Sequence, residues 1–361
     1  MNTSTERIFL ESKRALIISR VVQDVYLLRN DLKLLSMRLA EVNDVNSRVV
    51  KLMSDKMQEI IYSCGYKRVT LDDQELFDIY YDRMNLPWAA SACFLNMIVW
   101  GDTIPYYYKE YNEMIIAVCY DSNEGMLVGV PFIGSYRDEA VTQAFSIMKE
   151  DFRRLDIPIV IMDVSKWMLP YYEALTGETF DVDDDRDSME YIYTSESLEA
   201  GMNKQDDRYR YRYFIRKYDY EALIITPDYK NELKEFMNNI WCVDKRCSEC
   251  EFGCLRDSTE LIVSAIDKLR ADGIMVRVSG KTVGFCIVTR FKNYGIYQFK
   301  HAVNGYKGLN EYLLRECYEH FLKGVDIINY TEDCGIEGLR RYKMNLCEEY
   351  ELSSRLTLTA K

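Results

Sequence analysis

Twice along this chain a strand-like apolar run, a glycine-bearing loop, an amphipathic helix and a second strand-like run follow in the same order. The first set is Met126 to Pro131, Gly134, a helix from about Asp138 to Leu155, and Ile157 to Val164. The second is Gly295 to Val303, Gly305, a helix from about Asn310 to Leu322, and Asp326 to Tyr330. Short apolar runs bounded by turn residues predict strands, and apolar residues at three- and four-residue spacing predict helices. The two sets share no close sequence identity, so the repeat is one of structural order. It predicts an α+β protein with two similar domains, over residues 67–197 and 198–361.

Around these sets the pattern fills in. A short helix is expected at 72–83, and a strand at Met114 to Tyr120 turns through Asp121 to Gly125 into the first set. The acidic run 181–187 reads as a solvated loop that closes the first domain. In the second domain a basic helix is expected near 198–217, with helices at about 229–241 and 257–272. Strands follow at Ile274–Ser279 and Thr282–Arg290, and a final strand at about Glu349–Thr359 ends the chain.

No Gly or Pro precedes Gly65, which suits long uninterrupted helix over 1–66. Apolar residues recur in heptad fashion at Ile18, Val21, Val25, Leu28, Leu32, Leu35, Leu39 and Val42, then at Val49, Met53 and Ile60. A single helix over 18–60 would reach about 65 Å. Two readings fit. One is a coiled coil that makes a homodimer, with Asn46 setting the register; the other is a helix or helical hairpin lying on its own domain, broken in the weak helix formers Asn43 to Ser47.

The net charge of -12 is unevenly spread: +4 over residues 1–68, -18 over 69–199 and +2 over 200–361. The middle segment is a poor partner for polyanions, whose binding depends on phosphate neutralisation. No apolar run approaches the roughly 20 residues needed to span a bilayer, and no signal-peptide core opens the chain. The 11 cysteines then read as reduced thiols of a cytoplasmic protein. Two histidines leave little room for His-based catalysis.

The order in the second half (helices, three antiparallel strands, glycine loop, helix, strand) resembles a GNAT-type acyltransferase. Closer still, the segment Asn329 to Lys343, NYTEDCGIEGLRRYK, is similar to the Asn-x-x-x-Asp-x-Gly-x-x-Gly-Leu-Arg-x-x-Lys segment of the phosphatidylglycerol lysyltransferase C-terminal-domain-like family. SACFLNMIVWGD (91–102) and HAVNGYKGLNEYL (301–313) support the match. The resemblance covers the chain from about residue 70 and implies two tandem GNAT folds. It also implies kinship with transferases that move an amino acid from aminoacyl-tRNA to a lipid or peptidoglycan acceptor. Where the family often has Pro shortly after the Lys, this chain continues Met344-Asn-Leu-Cys.

Several groups of residues are candidates for chemistry. In the glycine loop, Gly305, Lys307, Gly308 and Asn310 stand where coenzyme A-using GNAT enzymes hold the pyrophosphate at a helix N-terminus. The spacing of that motif is absent here, and Asp138 at the first helix would repel a phosphate. Beyond the strand at 326–330, Glu332 and Asp333 suit ammonium binding or base work, and Glu337, Arg340 and Lys343 suit substrate contact, the two cations neutralising an anion. Against this, Asp333 can cap the turn that follows and Arg340 can form an internal ion pair. In RYRYRYFIRK (208–217), Arg208, Arg212 and Arg216 share one helical face, with Tyr211, Ile215 and Tyr218 on another. That face suits tRNA through cations and stacked aromatics, or is a solvated surface over inward-packed rings. Cys242, Cys247, Cys250 and Cys254 lie within 13 residues. They can bind Zn or an iron–sulfur cluster, or form a loop of free thiols. The leading function is an acyltransferase using aminoacyl-tRNA. The alternatives are an acyl-CoA-dependent N-acetyltransferase and a non-catalytic binding or assembly module.

Overall fold

A computed structural model describes residues 57–121, 126–242 and 254–361. It divides the chain into two units, Met1–Ser63 and Cys64–Lys361. Of the first unit, residues 57–63 are helical; the heptad stripe and its dimer lie outside the described residues. No described helix is long and apolar enough to cross a membrane.

The second unit holds two mixed sheets. The first contains β1 (Lys67–Arg68), β2 (Tyr106–Tyr111), β3 (Met114–Asp121), β4 (Met126–Gly129), β6 (Val160–Ser165) and β7 (Phe180–Asp183), with β5 (Ile133–Gly134) on β3. The second contains β8 (Glu190–Thr194), β9 (Tyr220–Ile224), β10 (Ala271–Val278), β11 (Lys281–Phe291), β12 (Tyr294–Ala302), β13 (Ile327–Glu332) and β14 (Glu351–Ser353). The last strand, β15 (Arg355–Ala360), returns to the first sheet between β6 and β7.

The expected duplication is present. In each sheet antiparallel strands lead to a parallel pair joined through a helix, Asp138–Arg154 in the first and Leu309–Cys317 in the second. The first helix buries Val141, Ala144, Phe145, Met148 and Phe152, the three- and four-residue spacing of a core stripe. The second buries Leu309, Leu313, Leu314 and Cys317 in the core of the second sheet.

The strands ending each domain are exchanged. β7 stays in the first sheet while β8 pairs with β13 in the second; β14 pairs with β8, whereas β15 crosses back to β6. The final strand expected over Glu349–Thr359 is thus two short strands serving different sheets. The acidic run 181–187 is only partly a loop, because Phe180–Asp183 is an edge strand paired with β15. Its carboxylates point to solvent from an edge, where charge discourages further pairing. The basic helix is two helices, Ser195–Met202 and Gln205–Lys217. The helix expected over 257–272 ends at Ser264 because Ala271 already belongs to β10. Residues Glu337–Leu346, the heart of the motif segment, form a helix that the sequence reading takes for a turn.

Candidate active site

Both parallel pairs come apart soon after they form. β4 and β6 share one register pair, Gly129 with Ile161. β12 and β13 pair from Tyr294 and Ile327 to Ile296 and Asn329 and then diverge. Just past each split stands a non-glycine residue in the left-handed region, Asp163 at φ 60° and Thr331 at φ 56°. Such backbone costs of order 1 kcal/mol and persists where the surroundings hold it. Here it bends each strand off its partner and opens a cavity of about 220 Å³ between the two splits. Val128 and Val130 line it from one split with Met162 and Asp163; Gln298 and Phe299 line it from the other with Thr331 and Glu332.

The charged groups in this lining are Asp163, Glu332 and Arg355. Arg355 opens the exchanged strand β15, so the crossing of the chain delivers it. Its Nε donates to Asp163 Oδ1 at 2.7 Å, and Nη1 lies 3.7 Å from Glu332 Oε1. Burial would lower its pKa, but three carboxylates, Asp163 first and then Glu332 and Glu190, outweigh it and hold the guanidinium charged. The first residue of the other exchanged strand, Glu190, is buried beneath the cavity. It accepts from the Ala90 amide and from Asn329 Nδ2, both at 2.7 Å. Desolvation dominates there and pushes its pKa up to about 8, Arg355 acting in the opposite sense.

The motif segment braces this arrangement. Asn329 Oδ1 accepts from the Thr331 amide at 2.7 Å, securing the left-handed turn. Lys343 reaches back from its helix and donates to the carbonyls of Tyr330 and Glu332 and to Thr331 Oγ1. The bulge turns those carbonyls off the ladder, and buried acceptors need a donor. Burial lowers the Lys343 pKa to about 8. Asp333 is fully buried and accepts from Arg340 Nε and Nη2 at 3.0 and 2.8 Å, Tyr191 Oη at 2.7 Å, Arg186 Nη1 at 3.2 Å and the Gly335 amide at 3.0 Å. Burial would raise its pKa, but Arg340, Tyr191 and Gly335 hold it well below the carboxylate range. Gly335, at φ 69°, has Asp187 where a Cβ would press to 2.7 Å of a carboxylate oxygen.

Glu332, then, is the candidate of the motif that lines the cavity. Asp333, Arg340 and Lys343 do not: they pair internally, in keeping with the alternative that Asp333 caps the turn and Arg340 forms an internal ion pair. Glu337 is exposed at the start of its helix, 3.7 Å from Arg341. Gly305, Lys307, Gly308 and Asn310 line a separate surface groove against the Gln205–Lys217 helix. A Cβ on Gly308 would lie 2.1 Å from the Arg210 carbonyl oxygen, so this glycine serves helix packing. Glu311, largely buried in the first turn of the Leu309–Cys317 helix, pairs with Arg210 at 3.2 Å.

Arg208, Arg212 and Arg216 are exposed and share a surface groove with Tyr209, Tyr213 and Lys217. Lys307 lies over the rings of Tyr209 and Tyr213, at 4.9 and 5.1 Å. On the inner face Phe214 is fully buried and Tyr211 stacks on Tyr312. Ile215 departs from the expected inward packing, with 37% of its surface exposed. Of the cysteine group, Cys247 and Cys250 lie outside the described residues; Cys242 and Cys254 flank that segment. Among the described residues no group of three or more His, Cys, Asp or Glu is placed to hold a metal ion.

Sequence reasoning misses Arg355, Asp163 and Glu190. None belongs to a recognisable motif, and each becomes part of the site through strand pairing alone.

Two mixed sheets, each split at a parallel crossover, make this a tandem GNAT-like α+β protein. The chain belongs to the family described as phosphatidylglycerol lysyltransferase, C-terminal, whose sequence model matches residues 86–345. Among solved structures it is similar to a conserved protein of unknown function from Bacteroides thetaiotaomicron, with a TM-score of 0.73 and 21% identity over 82% of this chain and 99% of that one. It is also similar to L-PGS from Bacillus licheniformis, with a TM-score of 0.55 and 13% identity over 81% and 92%. FemX matches with a TM-score of 0.53 and 11% identity over 81% and 96%. At these identities the likeness is one of fold. No curated protein matches the chain. Family membership relates the protein to phosphatidylglycerol lysyltransferases.

Proposed function

We propose that the protein is an acyltransferase that takes an aminoacyl group from an aminoacyl-tRNA and passes it to a nucleophilic acceptor, with the aminoacyl end seated where both sheets split. The observation that carries this reading is the pair of carboxylates, Asp163 and Glu332, one from each domain, set about a single Arg355 in one cavity. An aminoacyl ester brings an ammonium that such a net-negative cavity holds, which an acetyl group lacks. A cavity of about 220 Å³ has room for an aminoacyl group, while the tRNA body stays outside. In transfer, the acceptor's amine or hydroxyl attacks the ester carbonyl and loses its proton to a base, a role we assign to Glu332 because it lines the cavity. The ester bond from the carbonyl carbon to the tRNA 3′-oxygen breaks as the new amide or ester bond forms, and the departing oxygen takes the proton back from the base to leave as a hydroxyl.

Two further features support a tRNA donor over coenzyme A. The exposed Arg208, Arg212 and Arg216, beside Tyr209 and Tyr213, offer cations for phosphates and rings for unpaired bases. At the second glycine loop, the Arg210 carbonyl packs against Gly308 and the largely buried Glu311 carboxylate pairs with Arg210, an oxygen-lined surrounding that disfavours a pyrophosphate. Binding measurements with charged tRNA and with acetyl-CoA test the reading. Charged tRNA should be retained, and the triple substitution Arg208→Ala, Arg212→Ala, Arg216→Ala should release it without lowering thermal stability. Glu332→Gln should slow turnover of the aminoacyl ester by about a hundredfold. Tight binding of acetyl-CoA with no retention of tRNA would overturn the assignment.

A further inference from the structure

We infer that the aminoacyl group received by the cavity has an uncharged, apolar side chain, so the substrate is not a lysyl group. The inference rests on the aminoacyl reading above and adds the substrate class.

The inference follows from a charge count within one cavity that is partly open to solvent, its Arg355 and Glu332 side chains 21% and 28% exposed. Asp163 and Glu332 contribute two negative charges and Arg355 one positive charge, leaving a net charge of one negative unit. The α-ammonium that every aminoacyl ester carries neutralises it. A lysyl or arginyl group brings a second cation, for which the lining holds no further carboxylate. Of the amide groups nearby, Asn96 Nδ2 donates to the Ala90 carbonyl at 2.6 Å and to Gln298 Oε1 at 3.0 Å, so the Gln298 oxygen already serves one donor. Gln298 Nε2 donates on to Thr289 Oγ1 at 2.8 Å. Ser91 Oγ is buried without a partner, but one hydroxyl cannot satisfy the three donors of an ε-ammonium. A charge buried without its counter-charge is strongly disfavoured. A glutamyl or aspartyl group fails for the converse reason, since Arg355 is already shared by two carboxylates.

The rest of the wall suits an apolar side chain. Ile104, Val128, Val130 and Met162 line the cavity together with Trp100 and Phe299, whose rings lie 6.4 Å apart at a tilt of 48°. This aromatic pair, one ring from each domain and in mutual contact, presents an apolar wall against which an aliphatic or aromatic side chain packs by burial of apolar surface.

The test uses amide-linked 3′-aminoacylamino-3′-deoxyadenosines, which mimic the charged tRNA terminus and cannot transfer their group. Leucyl, phenylalanyl, lysyl and glutamyl forms are titrated against the full chain by calorimetry, with acetyl-CoA in parallel. The leucyl or phenylalanyl form should bind at least about tenfold more tightly than the lysyl and glutamyl forms, the lower end of what an apolar pocket achieves between side chains. Ile104→Glu, which adds one carboxylate to the wall, should shift the preference toward the lysyl form. Equal or tighter binding of the lysyl form to the natural chain would overturn the inference while leaving the aminoacyl reading intact. An unmoved preference in Ile104→Glu would also overturn it, since the side chain would then lie elsewhere. Binding of acetyl-CoA with none of the four analogues would remove the aminoacyl reading and this inference with it.

Discussion

Lys343 shows how a motif residue can matter without touching substrate. Its ammonium serves two carbonyls that the left-handed Thr331 turns away from the sheet. Lys343→Met keeps the bulk and removes the donors, which should cost about 3 kcal/mol in denaturant unfolding. The wild-type ammonium has a folded pKa of about 8 against an ordinary value of 10.5. Between those values the unfolded chain binds the extra proton, so this group makes stability rise with pH from about 8 to 10.5. Lys343→Met should lack that rise. Glu190 acts in the opposite sense. Its pKa is raised from 4.5 to about 8, so the folded state holds the extra proton and stability falls as pH climbs through that window. Glu190→Gln should flatten the thermal-stability profile between pH 5 and 8, at about the pKa values that bound it; an unchanged slope would show that the carboxyl is ionised. The motif that contains Lys343 is legible in the sequence, and its residue types allow chemistry or scaffolding equally. What separates the two is the backbone at Thr331, a β-branched residue whose left-handed conformation no local preference announces.

Among the elements, the strongly periodic ones are legible. The Asp138–Arg154 helix and the β10 to β13 run fall close to where apolar spacing places them, because burial of one face selects both register and residue type. β7 is hidden because Asp is poor strand material, and pairing with β15 supplies what propensity does not. The helix over Glu337–Leu346 is hidden by Gly335 just before it and Gly338 in its first turn, and by its strongly polar face. The junction of the glycine loop with the basic helix gives a test at this scale. Gly308, at φ 91°, approaches the Arg210 carbonyl too closely for any Cβ. Gly308→Ala should therefore lower the urea midpoint by the equivalent of about 2 kcal/mol with an unchanged slope. It should also loosen the Arg-rich face from its support and weaken retention of charged tRNA.

For the molecule as a whole, the exchange of β8 and β15 means that neither sheet is complete on its own half of the chain. A fragment over 198–361 lacks β8 and exposes the edge of β13, so it should fail to fold cooperatively and should aggregate. A fragment over 64–361 retains every strand of both sheets and should unfold in a cooperative transition, measurable by circular dichroism. Two independently stable halves would contradict the exchange.

The amino-acid sequence by itself determined the repeated order of elements, the α+β class, the family segment around Asn329–Lys343 and the cationic face of the basic helix. All of these are local: they depend on residues a few positions apart, whose periodicity and charge are written along the chain. Only the tertiary structure decided that Glu332 rather than Asp333 faces the cavity, that Asp163 answers it from the other sheet, and that Arg355 arrives between them. Those three residues lie far apart in sequence, and their meeting depends on a strand crossing between sheets and on two left-handed turns, which long-range pairing selects and no local pattern encodes.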